Sequence, residues 1–351
     1  MKNRGEEERL INMENLKLEE IINVAADNNI KCRSDNKQEI INIIKEKKKN
    51  NIGTAGYIIG KKNWWANKER KVYFPTKIKK DDWFNHYKKD FKFLEINSTF
   101  YGTPSEKTWN NWYKQAEGDF KYSVKVNKYI THATKLNNIE KNWDHFWQGC
   151  KLLKDKLGCL LFQFHYNFKN TDKQSKLDSL TNFQRLEKLS KILTNCNIRY
   201  IFEFRDASWF VPSVSNLFRL NNWSFCFSHV VNPTGWCGSL SNGFNPPLSP
   251  DFFTSDTLYL RFHGSLGQYI GSYSSYNTDC LLSSHINYSP NQDFFSSLST
   301  FLSSYTFPNN YFVFNNTDST YQGLPPSLIS LVSDPIPAAI YDSLYLKLIL
   351  C

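Results

Sequence analysis

Eight short apolar or alternating runs, most of them separated by helical patterns, constrain this 351-residue chain more than any other feature. The runs lie at 53–57, 93–99, 121–126, 158–164, 199–205, 224–229, 257–263 and 311–315, with helical periodicity at 82–89, 108–116, 143–156, 182–193 and 292–304. Strands that alternate with helices must pair in parallel, because each crossover spans the length of a strand. Eight such units close on themselves more readily than they spread as an open sheet, so the expected fold class is α/β, a parallel (β/α)8 barrel. The sixth unit is the least regular. Its stretch 232–255 is rich in Gly, Pro and Ser and reads as a long loop, and the last helix, 326–332, is short. The apolar tail 336–351 has no place in the pattern.

Parity along the runs points to a site. Successive strand residues face opposite sides, so polar residues of one parity near a strand's C-terminal end point into the barrel mouth. Five runs carry such i, i+2 pairs: Glu95 and Asn97, Ser123 and Lys125, Gln163 and His165, Glu203 and Arg205, Arg261 and His263; the eighth adds Asn315 and Asn316. A polar group inside a barrel costs free energy unless it is paired, so its repetition at one end suits an active-site rim. Glu95, Glu203 and His263 are the acid–base candidates. Lys125, Arg205 and Arg261 are suited to an anionic group. Asn97, Tyr101, His132, Gln163, Trp209, Tyr273, Asn315 and Asn316 complete the substrate-contacting set. The competing structural readings are a Glu203–Arg205 ion pair, a Glu95–Lys125 ion pair, and packing roles for Tyr101, Trp209 and Tyr273. No cofactor is specified. A divalent metal would require the fold to gather His132, His263 and the two glutamates, and no metal, Walker or dinucleotide motif is present.

Charge is unevenly placed. Residues 51–200 hold 28 Lys/Arg against 14 Asp/Glu, a balance of +14, whereas 201–351 hold 4 against 9, a balance of −5. A one-sided basic surface suits a polyanion such as nucleic acid, although a solvated lysine-rich surface gives the same numbers. The eight cysteines have no CxxC spacing and read as reduced thiols. The first residues lack a secretory pattern and no run approaches membrane-spanning length, so a soluble, intracellular protein without a membrane partner is expected.

Residues 1–50 are a separate charged module and linker in this reading. Leu16 to about Asp27 and Lys37 to Lys47 form two amphipathic helices, the second capped by Ser34-Asp35-Asn36, and the segment resembles SAP-like and Rho-N-terminal-like modules. That resemblance implies nucleic-acid contact. The linker is placed at 47–51 and the barrel at 51–335.

The motifs in order resemble those of the family called domain of unknown function 72, the YecE-like proteins. They are Gly53-Thr54-Ala55-Gly56-Tyr57, Tyr73-Phe74-Pro75, Glu95-Ile96-Asn97-Ser98-Thr99-Phe100-Tyr101, Phe120–Lys125 with Ile130-Thr131-His132, Leu160–Gln163, Glu203-Phe204-Arg205 with Ser208-Trp209, Arg261-Phe262-His263-Gly264, and Phe314-Asn315-Asn316. The resemblance implies a TIM barrel and supplies no reaction. Phe164-His165-Tyr166 departs from the family's usual LPP, and the acidic residues expected after Tyr273-Ser274 are missing. The leading expectation is a hydrolase or lyase acting on a phosphorylated or nucleic-acid-derived substrate. The alternatives are a nucleic-acid-binding protein with a non-catalytic barrel and a glycosidase-like barrel.

Overall fold

The structure is a computed structural model, and it describes residues 49–56, 73–74, 78–173, 179–195, 197–230, 244–265, 273, 292–305, 307–315, 339, 342–343, 346–347 and 350. Eight parallel strands close a barrel: β1 (Lys49–Ala55), β2 (Phe93–Ile96), β3 (Lys121–Lys125), β4 (Leu157–Gln163), β5 (Arg199–Glu203), β6 (Ser224–His229), β8 (Thr257–Phe262) and β9 (Asn309–Phe314). The two-residue β7 (Phe244–Asn245) pairs antiparallel with the end of β6 and stands outside the ring. Closure needs both the β1–β9 ladder, from Lys49↔Asn309 to Thr54↔Phe314, and the shorter β5–β6 contact at Ile201↔Ser224 and Phe202↔Phe225.

All eight expected runs are strands. The first begins earlier than expected: Lys49 and Asn50, assigned to the linker, pair with Asn309 and Asn310 because the ladder closing the ring needs their backbone groups. The module expected over 1–47, the helix 326–332, and the stretch 231–243 of the sixth unit lie outside the described residues.

The helices coat the barrel. They are α1 (Trp83–Asp90), α2 (Ser98–Tyr101), α3 (Glu106–Gln115), α4 (Ile139–Cys150), α5 (Asn182–Ser190), α6 (Pro212–Asn221) and α7 (Gln292–Ser303). The expected helix at 143–156 divides: α4 ends at Cys150 and a tighter turn, Lys151–Lys156, carries the chain to β4. The start of α5 is set by Thr181, whose side chain accepts from the Gln184 backbone N–H while Gln184 reaches back to the Thr181 N–H. Helix α6 has the signals of Pro212 at its first turn and Asn222 left-handed at φ 51° just beyond its end.

Two apolar regions result from strand parity. Outward residues such as Leu94, Tyr122, Leu160, Phe202, Phe225 and Phe312 pack under the helices. Inward residues Phe93, Cys159, Leu161, Ile201, Cys226, Tyr259, Tyr311 and Val313 fill the interior, with Tyr259 and Tyr311 stacked at 5.6 Å. The interior is therefore apolar at its lower levels, and its polar residues lie above, toward the strands' C-terminal ends. The cysteines among the described residues, Cys150, Cys159 and Cys226, are free and buried. No helix of the described residues is long and apolar enough to cross a membrane.

Candidate active site

Strand register assembles the site. Glu95 faces Ser123 across β2–β3, Gln163 faces Glu203 across β4–β5, and Ser228 faces Arg261 across β6–β8. Glu95, Glu203 and Arg261 are almost wholly buried. Arg261 joins the two carboxylates: Nη2 donates to Glu95 Oε1 at 2.8 Å and Nη1 to Glu203 Oε2 at 2.5 Å. Glu95 Oε2 also accepts from the Tyr259 hydroxyl at 2.7 Å, and that hydroxyl lies 2.8 Å from Ser123 Oγ. Glu203 Oε1 accepts from Arg205 Nε at 3.3 Å. The expected Glu203–Arg205 pair is present. Glu95, however, pairs with Arg261 rather than Lys125, because its opposite number across the barrel carries a fork that reaches both carboxylates at once.

The electrostatics follow from this arrangement. Burial disfavours ionisation of Glu203, but the Arg261 and Arg205 charges outweigh it and hold the carboxyl well below its usual range. Burial likewise opposes the Arg261 charge, and Glu95 with Glu203 restores it. Lys125 is different. It is 9% exposed and has no ion pair among the described residues. Its Nζ stands 4.1 Å from the centre of the Phe100 ring. Burial, then the Arg261 charge, pushes its pKa down to about 7 against the weaker pull of Glu203 and Glu95.

His263 is buried beside this group. Asn315 Nδ2 lies 3.2 Å from His263 Nδ1. An amide nitrogen can only donate, so Nδ1 accepts and the ring proton sits on Nε2. Burial and Arg261 keep the ring neutral by lowering its pKa well below the usual value. The neutral ring is thus a hydrogen-bond donor at Nε2. Gln163 Oε1, Asn97 Oδ1 and Arg261 Nε are buried without a hydrogen-bond partner among the described residues. Such orphans are uncommon in folded interiors and mark positions that a ligand can satisfy.

The rim over β2, β3 and β4 is aromatic. Tyr101 packs on Phe100 at 5.1 Å, Phe100 on His132 at 5.0 Å, His132 on His165 at 5.7 Å, and His165 on Tyr166 at 4.0 Å. His132 Nδ1 is 2.9 Å from Thr131 Oγ1, and burial, with Lys125 and His165 nearby, lowers its pKa to about 4. The Thr99 hydroxyl donates to the Lys125 carbonyl at 2.6 Å and so ties the loop after β2 to the end of β3.

Two expected substrate contacts are placed elsewhere. Trp209 is fully buried outside the strands, stacked on Phe168 and Phe204, with its indole N–H donated to the Phe168 carbonyl. Tyr273 is buried against Phe262, Phe294 and Phe295; its hydroxyl accepts from the Gly264 N–H at 3.0 Å and lies 2.9 Å from His229 Nδ1. Both are large buried rings whose polar tips are satisfied by protein groups. Asn316 lies outside the described residues. Tyr259 is the main contact missing from the sequence reading. It shares the parity of Arg261 two residues earlier, a usable signal, but a tyrosine in a strand looks like packing. No group of three or more His, Cys, Asp or Glu suited to a metal ion occurs among the described residues, and His132, His263 and the glutamates do not form one.

An eight-stranded parallel barrel with its buried polar residues gathered at the strands' C-terminal ends defines a protein of the TIM-barrel class. A family model described as protein of unknown function DUF72 matches residues 58–323, and the chain belongs to that family. Its fold is similar to that of a DUF72 family protein from Thermotoga maritima, with a TM-score of 0.59 at 20% identity over 86% of this chain and 98% of that one. It is also similar to a DUF72 family protein from Enterococcus faecalis, with a TM-score of 0.52 at 18% identity over 76% and 87% of the two chains. At these identities the likeness is one of fold. No curated protein matches the chain.

Proposed function

We propose that this barrel is an enzyme, a hydrolase or lyase, acting on a small anionic substrate bound at the strands' C-terminal ends. The observation that carries the reading is Lys125: a nine-tenths buried amine at the mouth with no ion pair among the described residues. A buried cation calls for an anion, and the neighbouring carboxylates are already engaged by Arg261, Arg205 and Tyr259. A phosphate or carboxylate held by Lys125 fits that vacancy in the charge balance. Asn97 and Gln163 supply polar atoms to orient the substrate. Arg261 and the His263 Nε2–H are the donors able to stabilise negative charge that develops during bond cleavage. Glu95 and Glu203 then act as the fixed counter-charges that hold Arg261 in place. The same observation disfavours a glycosidase, because the space between the two carboxylates contains a guanidinium instead of a sugar ring.

The test is calorimetric titration of the protein with ribose 5-phosphate. Binding weakened at least about tenfold in Lys125→Met supports the reading. Undiminished binding in that variant, or no binding by the parent, overturns it. Because an anion favours the ammonium form, affinity should fall as pH rises through about 7, the pKa of Lys125 in the ligand-free folded protein. A second reading, nucleic-acid contact, draws on the +14 balance of residues 51–200. It requires binding that weakens steeply with salt.

A further inference from the structure

The aromatic arc over β2–β4 is not used by the anion-binding residues, yet it adjoins them. Tyr101, Phe100, His132, His165 and Tyr166 form an unbroken series of ring contacts across three successive strand-to-helix loops. Its two ends are open: Tyr101 is 71% exposed and Tyr166 is 40% exposed, whereas most other large rings among the described residues are buried. Its middle touches the cationic mouth, since Phe100 carries the Lys125 amine on its face and Lys125 and Arg205 both act on His132. The exposed Tyr101 ring packs on the buried Phe100 ring that faces the Lys125 amine, and so offers a π surface one ring away from a phosphate position.

We infer that the arc is a nucleobase-stacking subsite and that the anionic substrate is a nucleoside monophosphate, its base against the rim tyrosines and its phosphate at Lys125. The inference rests on the anionic-substrate reading and names the substrate class. A plain sugar phosphate would leave the exposed rings unused. A neutral carbohydrate fits less well, because the carboxylates that would accept from its hydroxyls, Glu95 and Glu203, are occupied by Arg261. Bases of any identity have a π face, so the arc implies weak discrimination among bases and strong discrimination for the presence of one.

The experiment compares AMP, UMP and ribose 5-phosphate by calorimetry on the full chain and on the Tyr101→Ala, Tyr166→Ala double variant. Both residues are exposed, so the variant keeps the core intact. Stacking of one base predicts that AMP binds at least about fivefold tighter than ribose 5-phosphate, with UMP between them. The double variant should bind AMP and ribose 5-phosphate alike. If ribose 5-phosphate binds and AMP binds no tighter, the base subsite is overturned while the anionic-substrate reading stands. If the preference for AMP survives in the double variant, the arc is not its source and the inference is equally overturned. If neither ligand binds, both readings fall together.

Discussion

Arg261 carries the charge balance of the barrel interior. Its two terminal nitrogens hold Glu95 and Glu203, and each carboxylate is saturated in turn by Tyr259 or Arg205. Removing one partner of a buried ionic network leaves uncompensated charge in a medium that cannot solvate it. Arg261→Leu should therefore lose about 3–5 kcal/mol of stability, read by urea unfolding at neutral pH. The same network sets an acid limit. The Glu203 carboxyl is held below its ordinary value of 4.5, so its stabilisation is complete above that pH and is lost as the pH falls toward the lower folded value. An acid titration of stability should show this loss in the parent chain and a smaller one in Glu203→Gln. Lys125 has the opposite character. Its folded pKa is about 7 against 10.5 in the open chain, so the unfolded state binds the extra proton and stability falls as pH drops from about 10.5 to 7. Lys125→Met should accordingly be more stable than the parent at pH 6, by on the order of 2 kcal/mol, while binding ribose 5-phosphate poorly. A variant that loses binding and gains stability is what a functional residue produces; a structural lysine would lose both.

At the level of elements, the join between α1, β1 and β2 shows how close packing is enforced by a single residue. The Tyr87 hydroxyl donates to the Phe93 carbonyl at 2.9 Å and accepts from the Thr54 N–H at 3.0 Å, inside a buried contact. Gly53 lies against the same place, where an added Cβ would come within 2.3 Å of the Phe93 carbonyl oxygen. Tyr87→Phe should cost about 1–3 kcal/mol through two orphaned backbone groups, measured by thermal or urea unfolding. Gly53→Ala should do at least as much damage, because the neighbouring atom is backbone and cannot swing away. The connection after β2 and the end of β3 are joined in a comparable way by Thr99, whose hydroxyl donates to the Lys125 carbonyl.

Across the whole molecule, the chain's end takes part in the barrel. The tail 336–351, unplaced by its pattern, contributes Ala339, Asp342, Ser343 and Leu346 to the buried set. Asp342 Oδ2 accepts from the Tyr273 N–H at 2.9 Å, and Lys347 Nζ donates to the Asp90 carbonyl at 3.2 Å, at the end of α1. The described tail residues thus contact both Tyr273, in the connection after β8, and the end of α1. Leu346→Ala should lower stability by about 2–4 kcal/mol in urea unfolding, a cost expected of core and not of an appended tail.

The alternation of strand and helix patterns was enough to specify a closed parallel barrel, because hydrophobic period and crossover geometry are local properties that every homologous turn of the pattern repeats. Parity alone also placed Glu95, Lys125, Gln163, Glu203, Arg205, Arg261 and His263 at one end of the interior, since a strand cannot turn its alternate residues the other way. What parity could not decide is which group meets which. That Arg261 takes both glutamates and leaves Lys125 without an ion pair depends on distances across the ring between strands far apart in sequence. The motifs of Trp209 and Tyr273 point to substrate contact, and only the folded packing shows their polar tips already satisfied by protein groups. The aromatic arc was hidden for the same reason: Tyr101, His132 and Tyr166 follow three different strands, and only closure of β2, β3 and β4 into adjacent positions brings their rings into one series.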